Sequence, residues 1–238
     1  MLGQQVATAV DAAQTRDTTA CAWACPLPDG RIFVDAYVWA AHRRVAAHEY
    51  HGVERGKIRL AAVEQFIAGH HLEGVEEPAG GSLATRYTVY PFVYDPRYFT
   101  RSAELLEEAG FTCAPMWQNQ PVQLEAVQRF YDLVHEGRLV HNGNKVLEAH
   151  VQATAAEKLE RGWRLSKLRS GRAIDACVAA IMAVFFADQG GGEPGVFAVG
   201  EDGEPVEATD ELLEAMFGPA AGYAWLDDVF ASPTVGDA

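Results

Sequence analysis

One long apolar stretch constrains the fold of this chain more than any other feature of its sequence. Between Ala173 and Ala187 all fifteen residues are apolar except Asp175. The apolar side chains recur with helical spacing, at Ile174, Val178, Ile181 and Phe185. The neighbouring stripe is also apolar, which predicts a helix that is buried on all sides. The stretch is too short and too polar to span a membrane, which takes about 20 apolar residues.

Asp175 is the exception within this helix, and a buried carboxylate must be paired, hydrogen-bonded or bound to a metal ion. One interpretation is that Asp175 merely caps the helix N-terminus. However, Ser170 followed by Gly171 is the stronger start signal, and a helix that begins there would place Asp175 beyond the first unpaired amides. We therefore favour a functional role for Asp175.

The composition fits an intracellular protein with a sizeable core. With 238 residues and 49% hydrophobic content, the chain can form one large domain or one domain with appendages. Its cysteines show no CxxC motif and no zinc spacing, which favours a reducing compartment without structural zinc. The N-terminal residues lack the pattern of a signal peptide. We expect a cytoplasmic protein that has no membrane partner.

Charge is distributed unevenly along the chain, whose formal net charge is −14. Twelve of the 33 acidic residues lie between Asp188 and Ala238, where there is no Lys or Arg. A Gly-rich segment at 189–195 precedes most of them and has the composition of a linker. We therefore divide the chain into a domain at 1–188 and an acidic linker and tail at 189–238.

Basic residues crowd into fifteen positions directly before the apolar helix. They are Lys158, Arg161, Arg164, Lys167, Arg169 and Arg172. The overall negative charge argues against a nucleic-acid partner, but a local cluster of this kind can still bind phosphate. The alternative is a solvated loop that happens to be rich in Arg.

The remaining segments predict alternating strands and helices. Strands are expected at 5–10, 20–25, 31–39, 88–94, 111–116 and 163–165. Helices are expected at 59–72, 102–110, 121–137 and 144–159. The first three strands are joined by short turns and suggest an antiparallel meander. Two of the strands end in an acid, the first at Asp11 and the fourth at Asp95.

This order is that of a ribonuclease-H-like α/β fold, in which a mixed sheet is flanked by helices. The sheet has a three-strand antiparallel meander and further parallel strands. The first and fourth strands of that fold lie side by side, which would bring Asp11 and Asp95 together, and the later helix would add Asp175. Three carboxylates at one edge repel each other, and divalent cations relieve that repulsion. Mg²⁺ prefers such ligands, and two ions can clamp the oxygens of a phosphodiester displacement.

Four segments carry a resemblance to a known family: AVDAAQTRDTTA, VYDP, HNGNKVLEAHV and RLSKLRSGRAIDACVAAIMA. Over Val6 to Asp188 the chain resembles the nuclease domain of the large terminase subunit of tailed bacteriophages. The resemblance implies metal-dependent cutting of double-stranded DNA during genome packaging. It implies metal-binding, catalytic acids at Asp11, Asp95 and Asp175, with Lys167 near the site. Asp17 matches a second acid of the first segment and would lie beside the metal ligands without binding an ion itself.

The resemblance also implies cofactors and partners. The cofactor would be Mg²⁺ or Mn²⁺, with two ions, and Lys167 and its basic neighbours would bind the DNA backbone. The partners would be a terminase ATPase domain, a small terminase subunit and a portal, in the host cytoplasm. The chain has no GxxxxGK[ST] loop, so the expected function excludes the motor itself. A Holliday-junction resolvase, a transposase-like nuclease and a non-catalytic docking module remain alternatives.

Overall fold

The computed structural model of the chain describes most of its first 189 residues and two short strands beyond them. The described ranges are 4–13, 18–51, 56–78, 80–117, 121–159, 162–167, 172–189, 197–199 and 205–207. None of the helices in these ranges is long and apolar enough to cross a membrane.

Eleven strands and six α-helices are assigned within the described ranges. The strands are β1 (Gln4–Asp11), β2 (Thr18–Pro26), β3 (Ile32–Ala40), β4 (Glu49–Tyr50), β5 (Tyr87–Tyr94), β6 (Cys113–Pro115), β7 (Leu139–Val140), β8 (Thr154–Leu159), β9 (Gly162–Lys167), β10 (Phe197–Val199) and β11 (Pro205–Glu207). The helices are α1 (Leu60–Ala68), α2 (Leu83–Arg86), α3 (Pro96–Glu108), α4 (Pro121–His135), α5 (Lys145–Gln152) and α6 (Asp175–Gln189).

A 7-stranded mixed sheet forms the centre of the fold. Its order is β4-β3-β2-β1-β5-β6, and β7 pairs with β3. Strands β1, β2 and β3 are antiparallel neighbours, whereas β5 runs parallel to β1 and β6 runs parallel to β5. The expected meander and its parallel extension are therefore confirmed, including the pairing of the first strand with the fourth.

Both faces of this sheet are covered, as the alternation along β2 shows. Its alanines at 20, 22 and 24 belong to the core on the α6 face, and Cys21, Trp23 and Cys25 belong to the core on the α1 and α3 face. Side chains of a strand point alternately to opposite faces, so one strand contributes to both cores. The pattern explains why β2 is apolar almost without interruption.

Helix α6 covers the alanine-rich face, and the predicted buried helix is confirmed. Twelve of its 15 residues are buried. Small side chains on both sides, such as Ala22 on the sheet and Ala179 and Ala183 on the helix, allow the helix to lie close to the strands. The predicted start at Ser170 is wrong, because residues 172–174 are not helical and α6 begins at Asp175. Ser170 itself lies outside the described residues.

Two further predictions of secondary structure are corrected. The helix expected at 102–110 begins already at Pro96, because Asp95 caps it and proline suits the first helical position. The helix expected at 144–159 ends at Gln152, and its second half forms β8, which pairs with β9 as an antiparallel hairpin. Helix propensity is a weak preference, and strand pairing overrides it here. Part of the basic cluster therefore lies in a hairpin.

Asn144 connects the start of α5 to the sheet. Its Oδ1 accepts hydrogen bonds from the backbone N–H groups of Val146 at 3.0 Å and Leu147 at 3.2 Å, which is an N-cap. Its Nδ2 donates to Asp35 Oδ1 at 2.6 Å and to the carbonyl of Ala36 at 2.8 Å, both on β3. One side chain thus fixes where α5 begins relative to the sheet.

We expect Asn144→Ala to lower the free energy of unfolding by about 2 kcal/mol, because a cap and two bonds to β3 are lost. Asn144→Asp keeps the cap acceptor but places a second carboxylate against Asp35. Burial raises the pKa of the Asp35 carboxyl, while hydrogen bonds oppose that rise. The loss in Asn144→Asp should therefore be larger at neutral pH than at pH 4, because protonation of either carboxyl removes the repulsion. Urea unfolding at both pH values measures it, and a pH-independent loss would contradict this explanation.

Candidate active site

Asp11 and Asp95 lie next to each other at one edge of the sheet. Asp11 is the last residue of β1 and is 9% exposed, and Asp95 directly follows β5 and is 5% exposed. The two strands are parallel, with Val10 opposite Tyr94, and the N–H of Asp95 donates to the carbonyl of Val10 at 3.3 Å. The two acids therefore follow neighbouring positions at the C-terminal ends of paired strands, as the sequence predicted.

Asp95 also has a structural role, since it is the N-cap of α3. Its Oδ1 accepts a hydrogen bond from the N–H of Arg97 at 3.0 Å, and Pro96 occupies the first turn. A carboxylate at a helix N-terminus also interacts favourably with the helix dipole, which stabilises α3. The carboxylate is thus anchored at the sheet edge by the helix that it begins.

Asp175 lies at the same edge but belongs to α6, the helix that covers the alanine-rich face of the sheet. It is the first residue of α6 and is 8% exposed. Its Oδ2 accepts hydrogen bonds from the backbone N–H of Thr18 at 3.3 Å and from the Thr18 hydroxyl. Thr18 begins β2, and two residues later Ala20 pairs with Asp11. Three buried carboxylates from three different elements therefore lie at one edge of the sheet.

The structure describes only part of the remaining candidate residues. Asp17, Arg161 and Arg169 lie outside the described residues. Arg164 and Lys167 belong to β9, and the backbone of Lys167 pairs with Thr154 at the base of the hairpin. Arg172 is exposed, three residues before α6 begins. Their assignment to DNA binding stays a prediction.

The donor chemistry of the three acids fits a hard divalent cation, because carboxylate oxygens are the ligands that Mg²⁺ prefers. Among the residues that the structure describes, however, no three His, Cys, Asp or Glu side chains lie close enough together to hold an ion. Asp95 is hydrogen-bonded to its own helix and Asp175 to Thr18 in this conformation. The three acids therefore match a divalent cation by the type of their donor atoms and by the positions of their backbones at the sheet edge.

Two residues that support the site were missed by sequence reasoning. Thr18 holds the Asp175 carboxylate, and His150 accepts a hydrogen bond from the N–H of Ala176 at 3.2 Å. Threonine at the start of a strand and histidine on a short helix carry no signal of their own. Each contact joins positions far apart in the chain, so that only the folded structure reveals it.

A separate cavity of about 800 Å³ opens between α1 and the middle of β2 and β3. The acids at the sheet edge do not line it. Its charged side chains have both signs, because Asp35 and Glu49 are acidic and Arg59 and Arg86 are basic. This mixture favours no single class of charged ligand.

A three-strand meander, a parallel fourth strand and a helix packed across them define the ribonuclease-H-like class of α/β folds, and the acids at the shared edge suit a nuclease of that class. The profile of the family described as terminase large subunit, endonuclease domain, matches residues 1–190. The chain therefore belongs to the family of terminase large subunit endonuclease domains.

One solved structure agrees with this fold. The crystal structure of the HK97 bacteriophage large terminase superposes with a TM-score of 0.60 at 15% identity, over 77% of this chain and 40% of that chain. This chain thus spans well under half of the HK97 protein. The large terminase nuclease from thermophilic phage G20c matches with a TM-score of 0.46 at 10% identity, over 75% of this chain and 80% of that chain. Its structure with bound magnesium gives 0.48 at 11% identity, over 75% and 79%. A search of curated proteins finds no match.

Proposed function

We propose that this chain is a metal-dependent endonuclease that cuts double-stranded DNA during viral genome packaging. The observation that supports the proposal is the position of Asp11, Asp95 and Asp175, all buried, at one edge of the sheet. Membership of the terminase endonuclease family supports the same reaction. An ATPase domain, a small terminase subunit and a portal would be its partners in packaging. The boundary near residue 188 between nuclease domain and acidic tail is part of the proposal.

The three acids would hold Mg²⁺ or Mn²⁺, in the two-ion arrangement that phosphodiester hydrolysis uses. When bound, such ions activate the attacking water and neutralise charge on the leaving 3′ oxygen. Burial makes the carboxylates repel one another more strongly than they would in water, which favours cation binding. An ionised carboxylate accepts at about four positions. The bonds from the N–H of Arg97 and from Thr18 therefore orient the carboxylates of Asp95 and Asp175.

The proposed metal-binding carboxylates are positioned by rigid strands and helices. Asp11 is fixed by its place in β1, Asp95 by the start of α3 and Asp175 by the start of α6. Sites built on strands and helices hold their geometry more precisely than sites built on loops. The DNA backbone would approach from the side of the β8–β9 hairpin, where Lys167 and the neighbouring arginines would contact phosphates without reading sequence.

A plasmid-nicking assay tests the proposal. The full chain is incubated with supercoiled DNA in the presence of Mg²⁺, Mn²⁺ or EDTA. We expect cleavage with either metal and none with EDTA. Cleavage in EDTA, or no cleavage in any lane, would reject a metal-dependent nuclease. Preferential cutting of a four-way junction over linear duplex would instead indicate a resolvase, and metal-independent DNA binding alone would indicate a docking module.

We expect Lys167→Ala to weaken DNA binding about 3- to 10-fold at low salt and to leave metal affinity unchanged. Its ammonium would meet a phosphate as a point charge, and phosphate contacts release counterions. The slope of log Kd against log salt should therefore fall by about one unit. Lys145→Ala is the matched control, because Lys145 is an exposed lysine on α5 that pairs with Glu148 at 2.7 Å. Equal salt slopes for both variants would remove Lys167 from the DNA interface.

A further inference from the structure

The N-terminus of α6 receives its cap from another helix. The residue before α6 is Ile174, whose apolar side chain cannot accept a hydrogen bond. The N–H of Ala176, in the first turn, instead donates to Nδ1 of His150 at 3.2 Å. The first amides of a helix have no partner within the helix itself. His150, on α5, therefore takes the place of a capping side chain.

Hydrogen bonds at both nitrogens of the His150 ring indicate its tautomer. Nε2 lies 2.9 Å from the carbonyl oxygen of Ala46, and a carbonyl can only accept, so Nε2 carries the proton. The N–H of Ala176 can only donate, so Nδ1 is the unprotonated acceptor. His150 is 1% exposed. The ring is thus a neutral, buried bridge from the loop between β3 and β4 to the first turn of α6.

This bridge ends one residue from a proposed metal ligand. Ala176 follows Asp175 directly, and the orientation of the first turn decides where the Asp175 carboxylate points. Thr18 holds the carboxylate itself, whereas His150 holds the backbone that carries it. Because Asn144 fixes the start of α5 to β3, His150 near the other end of that helix has a defined position.

We propose that His150 is a positioning residue of the nuclease site. It touches neither metal nor DNA, and it keeps the first turn of α6 in the orientation that presents Asp175 at the sheet edge. The inference rests on the proposed function, because it treats Asp175 as a metal ligand. Residues that orient a metal-binding side chain without contacting the ion typically contribute about 10- to 100-fold to metal affinity or activity.

Three variants of the full chain separate this role from simple packing. His150→Asn places its amide oxygen near the position of Nδ1, so that it can still accept from Ala176. His150→Gln extends its amide towards the position of Nε2, so that it can still reach Ala46 but not cap α6. His150→Leu fills the space and makes neither bond. Thermal melts establish which variants are folded before the functional comparison.

Calorimetry with Mn²⁺ alone measures metal affinity without any need for cleavage. We expect His150→Gln and His150→Leu to bind Mn²⁺ about 10-fold or more weakly than wild type, and His150→Asn to recover most of that loss. In the nicking assay, the metal concentration for half-maximal rate should rise in the same order, with an unchanged KM for DNA. In wild type, long-range ¹H–¹⁵N spectra of the ring should show the neutral Nε2–H tautomer.

Different experimental results would overturn the role of His150 and the nuclease activity. Equal Mn²⁺ affinity for folded His150→Asn and His150→Gln, or an Nδ1–H tautomer in wild type, would overturn the role of His150. A wild-type chain that binds Mn²⁺ but cuts no DNA would overturn the nuclease, while the affinities still decide the role of His150. A wild-type chain that binds no Mn²⁺ would overturn both. If His150→Leu does not fold, the comparison of Asn with Gln decides alone.

Discussion

Asp95→Asn is expected to abolish DNA cleavage while leaving the protein as stable as wild type. The asparagine keeps an oxygen that can accept from the N–H of Arg97, and asparagine is as good an N-cap as aspartate. The substitution therefore removes the charge that a cation needs and preserves the structural role of Asp95. We expect the cleavage rate to fall by at least about 1,000-fold, which corresponds to about 4 kcal/mol of transition-state stabilisation.

Two companion variants make this result interpretable. Asp95→Ala should lose cleavage to the same extent and should also lose the cap, which costs about 1 kcal/mol, or about 2–4 °C in Tm. Asp29→Asn changes the same charge in the exposed turn between β2 and β3 and should cleave like wild type. Nicking rates and thermal melts of the three proteins measure both effects. Cleavage by Asp95→Asn within about threefold of wild type would remove Asp95 from the metal site.

The second large effect is expected for Asp175→Ala, which should lose both cleavage and stability. In this variant the backbone N–H and hydroxyl of Thr18 lose their shared acceptor in a buried position. An unsatisfied buried donor costs about 1–3 kcal/mol. Removal of a buried charge offsets part of that cost. We expect a net loss of about 2 kcal/mol, or about 4–8 °C in Tm for a chain of this size.

Asp175→Asn separates the two consequences. Its amide oxygen can accept from Thr18, so most of the stability should return, whereas cleavage should stay at least about 1,000-fold below wild type. Thr18→Val, which removes the hydroxyl and keeps the backbone donor, should reduce cleavage only partly. Nicking rates at saturating Mg²⁺ and thermal melts provide the comparison. A stable and fully active Asp175→Asn would show that Asp175 serves only to anchor α6.

The strands of the sheet could be predicted because their signals are local. β1, β2, β3 and β5 each lie within two residues of the predicted bounds, since β-forming runs are separated by turn residues such as Pro28-Asp29-Gly30. The neighbouring positions of Asp11 and Asp95 then followed from the order of the strands. These parts of the fold needed no contact between distant residues to be recognised.

The start of α6 could not be predicted, because its capping partner is distant in sequence. Ile174 carries no start signal, and the acceptor for the first turn comes from His150, 26 residues before Ala176. The β8–β9 hairpin was missed for a related reason, since Ala155, Ala156 and Glu157 favour a helix until strand pairing is counted. A pattern in the sequence reports local preference, whereas these features depend on tertiary partners.

In the proposed site, the alanine-lined contact between α6 and the sheet would have a consequence for ion selectivity. Alanine on both sides allows the helix to lie close to β1 and β2, and that spacing would set the distance from Asp175 to the acids at the strand ends. Oxygen ligands lie about 2.0–2.1 Å from Mg²⁺ and about 2.3–2.6 Å from Ca²⁺. These distances differ by only a few tenths of an ångström. A shift of that size in the position of α6 would therefore favour one cation over the other. In the proposed site, methyl groups that never approach an ion would determine which ion is accepted.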